Sequence, residues 1–578
     1  MSVEQLITEH LDIWTAADTE KKSGRGRSSG SASSVYGIKK LRELILELAV
    51  RGKLVPQDES DEPASELLKR IAAEKAKLIA EGKIKKDKTL PEITLEDIPY
   101  ELPEGWIWER VAVYVFLEMG QSPPSSYYNQ IQDGLPFFQG KADFGDRYPI
   151  ARYWCTQPSK YAFKGDVLLS VRAPVGPTNI TPYDCCIGRG LAALRPLAET
   201  STEYILFAMR ARQTYLEEKA TGTTFSAVSK GDIEPFLIPI PPLGEQHRIV
   251  AKVDGLMTLC DQLENQHNKA AEAHEKLVTY LLGTLTQSQN VEDFNTNWQR
   301  ISEHFDTLFT TEASIDALKQ TLLQLAVMGK LVPQDLNDEP AIELLKRIQA
   351  EKAKLIAEGK IKKDIPLAEI MDEDKPFDLP VGWKWVRKNE VFAFLNGYAF
   401  KSEWFESSGI KLLRNVNVSH GKANWSDPAY ISIEQAANFN EYMLNVDDLV
   451  LSLDRPIITT GLKYAIISKA DIPCLLLQRI AKVSSFCKVV NSEYLAIWLN
   501  SSFFVGNIDP GRSNGVPHIS TTQVANMCFA LPPTAEQWRI VAKVDELMAI
   551  CDQLKVRLTA ANQLQQKLAD VMTQVADC

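Results

Sequence analysis

Apolar positions spaced alternately four and three residues apart run through two long stretches of this chain. Ile249, Val253, Leu256, Cys260, Leu263, His267, Ala270, His274, Leu277 and Leu281 keep that spacing, and Ile540, Val544, Leu547, Cys551, Leu554, Leu558, Ala561, Gln565, Leu568 and Met572 repeat it. A heptad seam of this kind predicts a long helix packed along another long helix. Pro241-Pro242 and Pro532-Pro533 stand just ahead and fix each start, because proline cannot continue a helix upstream. About forty residues of helix span roughly 60 Å, so each seam reads as a ruler.

Around the seams the sequence is written twice. Residues 48–87, LAVRGKLVPQDESDEPASELLKRIAAEKAKLIAEGKIKKD, return at 325–364 with five differences in forty positions. PPLGEQHRIVAKVDGLMTLCDQL at 241–263 returns as PPTAEQWRIVAKVDELMAICDQL at 532–554. The first pair, block A, predicts a short helix over about 37–51 stopped at Gly52, a loop, and an amphipathic helix with Leu67, Leu68, Ile71 and Leu78 on one face. The second pair, block B, opens each seam. The order A, variable, B, A, variable, B predicts two copies of one module, with the scaffold doing one job twice and the inserts carrying specificity. Val3, Leu6, Ile7, Leu11 and Trp14 predict a further amphipathic helix, followed by the tether SGRGRSSGSASS at 23–34. A helix on a tether points to docking on a partner; the alternative is that it folds back onto block A.

Each insert opens on one phrase, LPEGWIWERV at 102–111 and LPVGWKWVRK at 379–388. Short apolar runs broken by Gly, Pro and Asn then predict strands and loops. GDVLLSVRAP at 165–174 parallels DDLVLSLDRP at 447–456, a buried strand ending in a loop with Arg172 in one copy and Arg455 in the other. IGRGLAAL at 187–194 against LQRIAKVS at 477–484 sets Arg189 beside Arg479, and TGTTFSAVSKGDI against SNGVPHISTTQV matches Ser226 and Lys230 with Asn514 and His518. Gln139, Lys141, Arg414 and Asn415 complete the candidate set. These side chains suit groove reading, since Arg, Lys, Asn, Gln and Ser meet base edges while amides of Gly-rich turns meet phosphates.

The formal charge of −11 argues against nucleic acid until it is divided by region. Residues 105–240 hold 13 basic and 13 acidic side chains and 382–531 hold 14 and 12, so the acidity lies in the repeated scaffold and the inserts are free to present local basic faces. At 578 residues several domains are expected. No apolar run reaches membrane-spanning length, and Glu4 and Glu9 stand where a signal peptide would be basic, so a soluble cytoplasmic protein is expected. Nine cysteines without a C-x-x-C pair read as reduced core residues, Cys260 and Cys551 among them, and no metal site is expected, adjacent Cys185 and Cys186 included. His267 and His274 read as tolerated seam residues. The chain contains no phosphate loop, G-x-S-x-G, H-E-x-x-H or Gly-rich cofactor loop, so no catalytic residue is expected. Asp97-Ile98-Pro99-Tyr100 superficially matches the Asp-Pro-Pro-Tyr of amino-methyltransferases but lacks the second proline and any cofactor-binding sequence.

The doubled order, the LP-x-GW phrase, GDVLLSVRAP and PP-x-x-EQ-x-RIVAKVD at 241 and 532 resemble the specificity subunit of a type I restriction-modification system, over essentially the whole chain. The near-identical A blocks and the N-terminal helix are most similar to the enterobacterial type IB branch. The resemblance implies an α+β fold in which two mixed target recognition domains are separated by long antiparallel coiled-coil-like helices, with internal tandem duplication and pseudo-twofold symmetry. It implies that each domain reads one half of a split, asymmetric DNA site. It further implies no catalysis by this chain and no cofactor bound by it. The partners implied are double-stranded DNA, two modification subunits that use S-adenosylmethionine, and two restriction subunits that use ATP and magnesium. The expected domains are 1–36 (helix and tether), 37–101 (block A), 102–240 (first recognition domain), 241–378 (central helical region), 379–531 (second recognition domain) and 532–578 (final helix). Ile249, Val253, Leu256, Leu263, Ile540, Val544, Leu547 and Leu554 are expected to serve the seam and partner docking. Half-sites one helical turn apart, roughly 34 Å, would suit two modules facing one side of a duplex. A two-headed adaptor binding proteins or glycans, and the recognition end of a divergent methyltransferase, stay open as other readings of the residues.

Overall fold

In the computed structural model, residues 9–16, 35–86, 90–220, 227–289, 291–359, 361, 369–458, 461–487, 489–508 and 518–575 are described. The chain divides into two compact α+β units, Met1–Ala271 with Ala560–Cys578, and Glu272–Thr559.

In the first unit, α1 (Leu11–Ala16), α2 (Tyr36–Val50) and α3 (Ala64–Ala80) precede the insert. Trp14 is fully buried in a cluster with Ile38, Leu41 and Ile45 of α2, and Gly37 admits it: a Cβ there would lie 2.3 Å from the Trp14 carbonyl oxygen. The described part of the N-terminal helix therefore folds back onto block A, against the expectation of a docking segment, because burying an indole stabilises far more than exposing it. Residues 1–8 and the tether fall outside the described residues. As predicted, α2 stops at Gly52, whose φ of +68° disfavours any side chain. A Cβ at Gly52 would also lie 2.4 Å from Pro103, so the glycine makes room for the phrase that opens the insert; Gly329 does the same for Pro380 at 2.5 Å.

The insert's two ends are tied by β1 (Ile107–Arg110) pairing antiparallel with β11 (Leu237–Ile240). Between them, β2 (Phe116–Met119), β7 (Val167–Ser170), β8 (Thr178–Ile180) and β10 (Leu191–Arg195) form an antiparallel sheet in the order β2-β10-β7-β8. Then β3 (Tyr128–Asn129), β4 (Leu135–Phe138), β5 (Tyr153–Cys155), β6 (Tyr161–Ala162) and β9 (Cys185–Ile187) form a second in the order β3-β5-β4-β9-β6. All four residues of β7 are buried, as the apolar run in GDVLLSVRAP predicts. Cys185 and Cys186 are core residues of β9, and burial pushes both thiols up to about 12. Helix α4 (Thr202–Ala211) follows, then α5 (Leu243–Gln287), 45 residues long.

The second unit repeats the plan. It holds α6 (Val291–Glu303), α7 (Glu312–Val327), α8 (Ala341–Ala357), the pair β12 (Lys384–Arg387) with β23 (Cys528–Leu531), α9 (Ser492–Asn500) and the 42-residue α10 (Thr534–Val575), which the unit boundary divides. One sheet runs β13 (Phe392–Asn396), β22 (Ile480–Ser485), β17 (Leu449–Ser452), β20 (Tyr464–Ile466) and β15 (His420–Gly421); the other runs β16 (Ala429–Ile431), β14 (Ile410–Leu413) and β21 (Cys474–Leu476). A small hairpin joins β18 (Ile457–Ile458) to β19 (Gly461–Leu462).

The seams hold their predicted register for half their length. Ile249, Val253, Leu256 and Cys260 are buried beside α2, and Leu263 packs at the edge of the same cluster. Ile540 and Val544 are buried beside α7 and α8, while Cys551 lies in a cluster with α7 where Leu547 and Leu554 are partly covered. Further along, Leu277 is 49% and Leu568 43% exposed, whereas Val278, Leu282, Leu285 and Ala569 are buried. A helix of 3.6 residues per turn drifts about 20° per heptad from a strict 3.5 repeat, so three heptads move the buried stripe most of the way to the next residue. Among the described residues no helix is long and apolar enough to cross a membrane.

The two repeated blocks and the LP-x-GW phrase meet at one buried carboxylate in each unit. Glu245, 1% exposed, accepts from Trp106 Nε1 and Gln57 Nε2, both at 2.8 Å, and Arg248 pairs with Asp61 at 2.6 Å. Glu536 accepts from Trp383 Nε1 at 2.8 Å and Gln334 Nε2 at 2.7 Å, with Arg539 on Asp338 at 2.5 Å. Burial holds both carboxyls above their usual range despite these donors. Each repeated phrase thus contributes one arm of a joint, which is why the phrases recur while the inserts differ. Glu245→Ala leaves a buried indole N–H and a carboxamide without their acceptor and is expected to cost about 2–4 kcal/mol, with Glu245→Gln costing less, as read by denaturant unfolding.

Candidate nucleic-acid interface

In each insert the buried central strand runs out into a set of loops laced together by backbone hydrogen bonds. In the first, Val171 N donates to Gly190 O (2.9 Å), Val228 N to Val171 O (2.9 Å), Gln121 N to Ile187 O (3.0 Å) and Gly188 N to Phe138 O (2.8 Å). Ser170 Oγ lies 2.8 Å from the Pro174 carbonyl and 3.1 Å from that of Arg172, bracing the turn. Gly190 permits the crowding, since a Cβ there would stand 2.3 Å from the Gln139 carbonyl. Gln139, Lys141, Arg172 and Arg189 all lie exposed on these loops, and the backbone amides of Gln139 and Arg189 are held by Asp143 (2.7 Å) and Ser122 Oγ (3.2 Å). Among the described residues no side-chain hydrogen bond or ion pair holds the guanidinium of Arg172 or Arg189. Lys230 pairs with Glu234 at 3.3 Å one helical turn away.

The second insert repeats the lacing: Leu453 N donates to Arg479 O (2.9 Å), Ile519 N to Leu453 O (3.0 Å), Tyr398 N to Leu476 O (3.1 Å) and Leu477 N to Leu413 O (3.2 Å). These bonds fix which residues correspond: they keep the strand alignment of GDVLLSVRAP with DDLVLSLDRP, in which Asp454 already falls opposite Arg172, and they shift IGRGLAAL against LQRIAKVS by one position. Arg172 bridges Ala227 as Asp454 bridges His518, so Asp454, not Arg455, stands in the place of Arg172. Arg479 takes the place of Gly190, and Gln478 that of Arg189. In that second pair of segments the residue types mislead, and the ladder hydrogen bonds establish the register.

Most candidates in this insert are tied down. Arg479 Nη1 donates to Asp454 Oδ2 at 2.7 Å and His518 Nδ1 lies 3.0 Å from Asp454 Oδ1. Asn415 spends both ends of its amide, donating to Asp454 O (3.1 Å) and accepting from Ser452 Oγ (2.6 Å). Arg414 pairs with Asp427 at 2.9 Å and reaches Asn417 Oδ1 at 3.3 Å. Arg455 is exposed with φ +51°, and Arg479 has φ +70°. Asp454, the hub of this cluster, is not among the sequence candidates; its contacts come from residues distant in sequence, which no local pattern displays. Ser226 and Asn514 fall outside the described residues.

Asp97 is a helix cap, its carboxylate accepting from Thr94 N and Oγ1, each at 3.0 Å, and Tyr100 donates to Val50 O at 3.2 Å. Both therefore have structural employment. Among the described residues no group of three or more His, Cys, Asp or Glu is placed to hold a metal.

Residues 153–273 match the type I restriction modification DNA specificity domain. The specificity subunit of the type I restriction enzyme EcoAI of Escherichia coli is 51% identical over a 593-position alignment that covers all of both chains. The corresponding EcoEI subunit of Escherichia coli is 38% identical over 610 positions, again covering both chains fully. The crystal structure of the HsdS subunit from Thermoanaerobacter tengcongensis aligns with 45% of this chain and 65% of its own at 33% identity and a TM-score of 0.27. Full-length identity at this level, together with two inserts set in one repeated framework, establishes that the chain belongs to the DNA specificity subunits of type I restriction-modification enzymes.

Proposed function

We propose that the two inserts, at 102–240 and 379–531, are separate target recognition domains, each reading one half of a bipartite asymmetric DNA site. The observation that carries this reading is a single backbone framework supporting two different sets of exposed polar side chains. The shared loop lacing supplies equivalent placement; different side chains supply different half-sites. Block B and its helical continuation then set the gap between half-sites, and the duplicated A and B surfaces receive two copies of each partner. On this reading the chain is not itself an enzyme and binds no cofactor. Modification subunits bring S-adenosylmethionine, and restriction subunits bring ATP and magnesium.

The test is an exchange. Replacing residues 105–240 by the matched insert of the EcoAI relative is expected to change one half of the recognised sequence and leave the other half intact, read from the sites methylated by the assembled complex. A change in both halves, in a folded protein, would overturn the independence of the two domains. Retention on duplex DNA should fall steeply with salt, as counterion release requires of a phosphate binder and not of an adaptor for proteins or glycans.

A further inference from the structure

The loop position that carries Arg172 in the first insert carries Asp454 in the second, an inversion of charge at the centre of a surface expected to meet DNA. Asp454 is not turned outward as a reader. Its side chain is 15% exposed, and both carboxylate oxygens are engaged, Oδ2 by Arg479 at 2.7 Å and Oδ1 by His518 Nδ1 at 3.0 Å. Its carbonyl accepts from Asn415 Nδ2 at 3.1 Å and lies 2.7 Å from Ser452 Oγ, so the residue is anchored from a third side.

What the carboxylate holds is exposed. The Arg479 side chain is 67% and the His518 side chain 48% accessible. A surface arginine ordinarily samples many rotamers, and fixing one costs up to about 2 kcal/mol. Here the ion pair fixes it before any ligand arrives. The backbone adds to the constraint: Arg479 and neighbouring Arg455 hold φ of +70° and +51°, conformations that cost non-glycine residues about 1–3 kcal/mol and persist where surrounding contacts enforce them. With one nitrogen on Asp454, the guanidinium keeps its other donors free. Because a carboxylate only accepts, a proton between them sits on Nδ1 of His518, and in the neutral form of the ring Nε2 is then an acceptor.

We infer that Asp454 is a specificity-positioning residue of the second insert, aiming Arg479 as a donor and, in the neutral form of its ring, His518 Nε2 as an acceptor at base edges, where the first insert presents Arg172 directly. A pre-aimed donor suits the paired acceptors O6 and N7 of guanine, and an acceptor beside it suits the amino group of cytosine or adenine. The inference rests on the reading of the inserts as recognition domains.

The experiment compares the assembled complex carrying wild-type chain, Asp454→Ala, Asp454→Asn, Arg479→Ala or His518→Ala on a duplex pool randomised in both half-sites, reading methylated sequences. Asp454→Ala is expected to lose about 5- to 150-fold in discrimination at one or two positions of a single half-site, the range that a lost base contact spans. Arg479→Ala and His518→Ala should relax the same positions, and Asp454→Asn, which keeps one accepting oxygen, should fall between. Should Asp454→Ala not fold, the two exposed partners still decide the matter. Unchanged preferences in Arg479→Ala and His518→Ala, or a uniform loss across all sequences with a shallower salt dependence, would overturn the inference. A wild-type complex without sequence preference would instead overturn the recognition-domain reading itself.

Discussion

Val278→Asp is expected to cost more than about 4 kcal/mol, while Leu277→Asp, one residue earlier, is expected to cost about 0.5 kcal/mol or less. Val278 is 2% exposed in a cluster with Leu318 and Leu322 of α7; Leu277 is 49% exposed. An aspartate at 278 removes buried apolar surface and also brings an unpaired carboxylate out of water, so two penalties add. At 277 the carboxylate stays solvated. The strict heptad in the sequence assigns the seam to 277, so the pair of variants separates the structural register from the sequence register. Denaturant unfolding of the two purified chains measures the difference, and equal or reversed costs would show that the helix is phased as the heptad alone implies.

Lys388→Met is expected to raise stability at pH 7 by several kcal/mol. Lys388 is 1% exposed, its ammonium donates to Cys528 O at 3.2 Å, and it lies 5.1 Å from the Phe504 ring and 5.7 Å from that of Trp498. Among the described residues it has no carboxylate partner, and burial pushes its pKa down to about 7 from the usual 10.5. The corresponding first-unit residue, Val111, is apolar and fully buried, so a methionine fits the site's character. Below pH 7 both native and unfolded chains bind the proton and the penalty is present in full. Between 7 and 10.5 only the unfolded chain binds it, so rising pH favours the native state. Across that window the gain is at most roughly 5 kcal/mol from this group. Other groups titrate identically in both proteins, so the stability advantage of Lys388→Met over wild type should shrink as pH rises through this window; an advantage that stays constant with pH would place its origin elsewhere.

Helical scaffold was legible in the sequence because its information is local. Proline pairs ahead of the long helices, Gly52 at the end of α2 and the apolar spacing of block B each specify backbone within a few residues, and α2, α3, α5 and α10 lie where these signals put them. The exception is cumulative drift, which no single turn reveals and which moves the buried stripe by Val278. Buried strands were also legible, since Val167–Ser170 and Leu449–Ser452 are apolar throughout. The recognition surface was legible only as a set of loops. Correspondence across the inserts depends on bonds such as Leu453 N to Arg479 O, between residues far apart in sequence. The anchoring of Asp454 likewise comes from partners at 415, 479 and 518. Trp14 shows the same limit: an amphipathic pattern says that a helix needs a surface to cover, not whether that surface is its own.

The first unit takes its last piece from residues 560–578, with Ala569 fully buried in its core and Asp570 accepting from the Tyr36 hydroxyl at 2.6 Å across 534 positions of sequence. During synthesis the 288 residues 272–559 separate its first 271 residues from that piece, a delay of roughly 15–60 s at about 5–20 residues per second. Through that interval the apolar surface that Ala569 and Met572 finally cover stands open on the ribosome. Expression of the first unit as a truncated fragment should consequently yield an incompletely covered core, and supplying residues 560–578 as a separate peptide is the natural way to restore it.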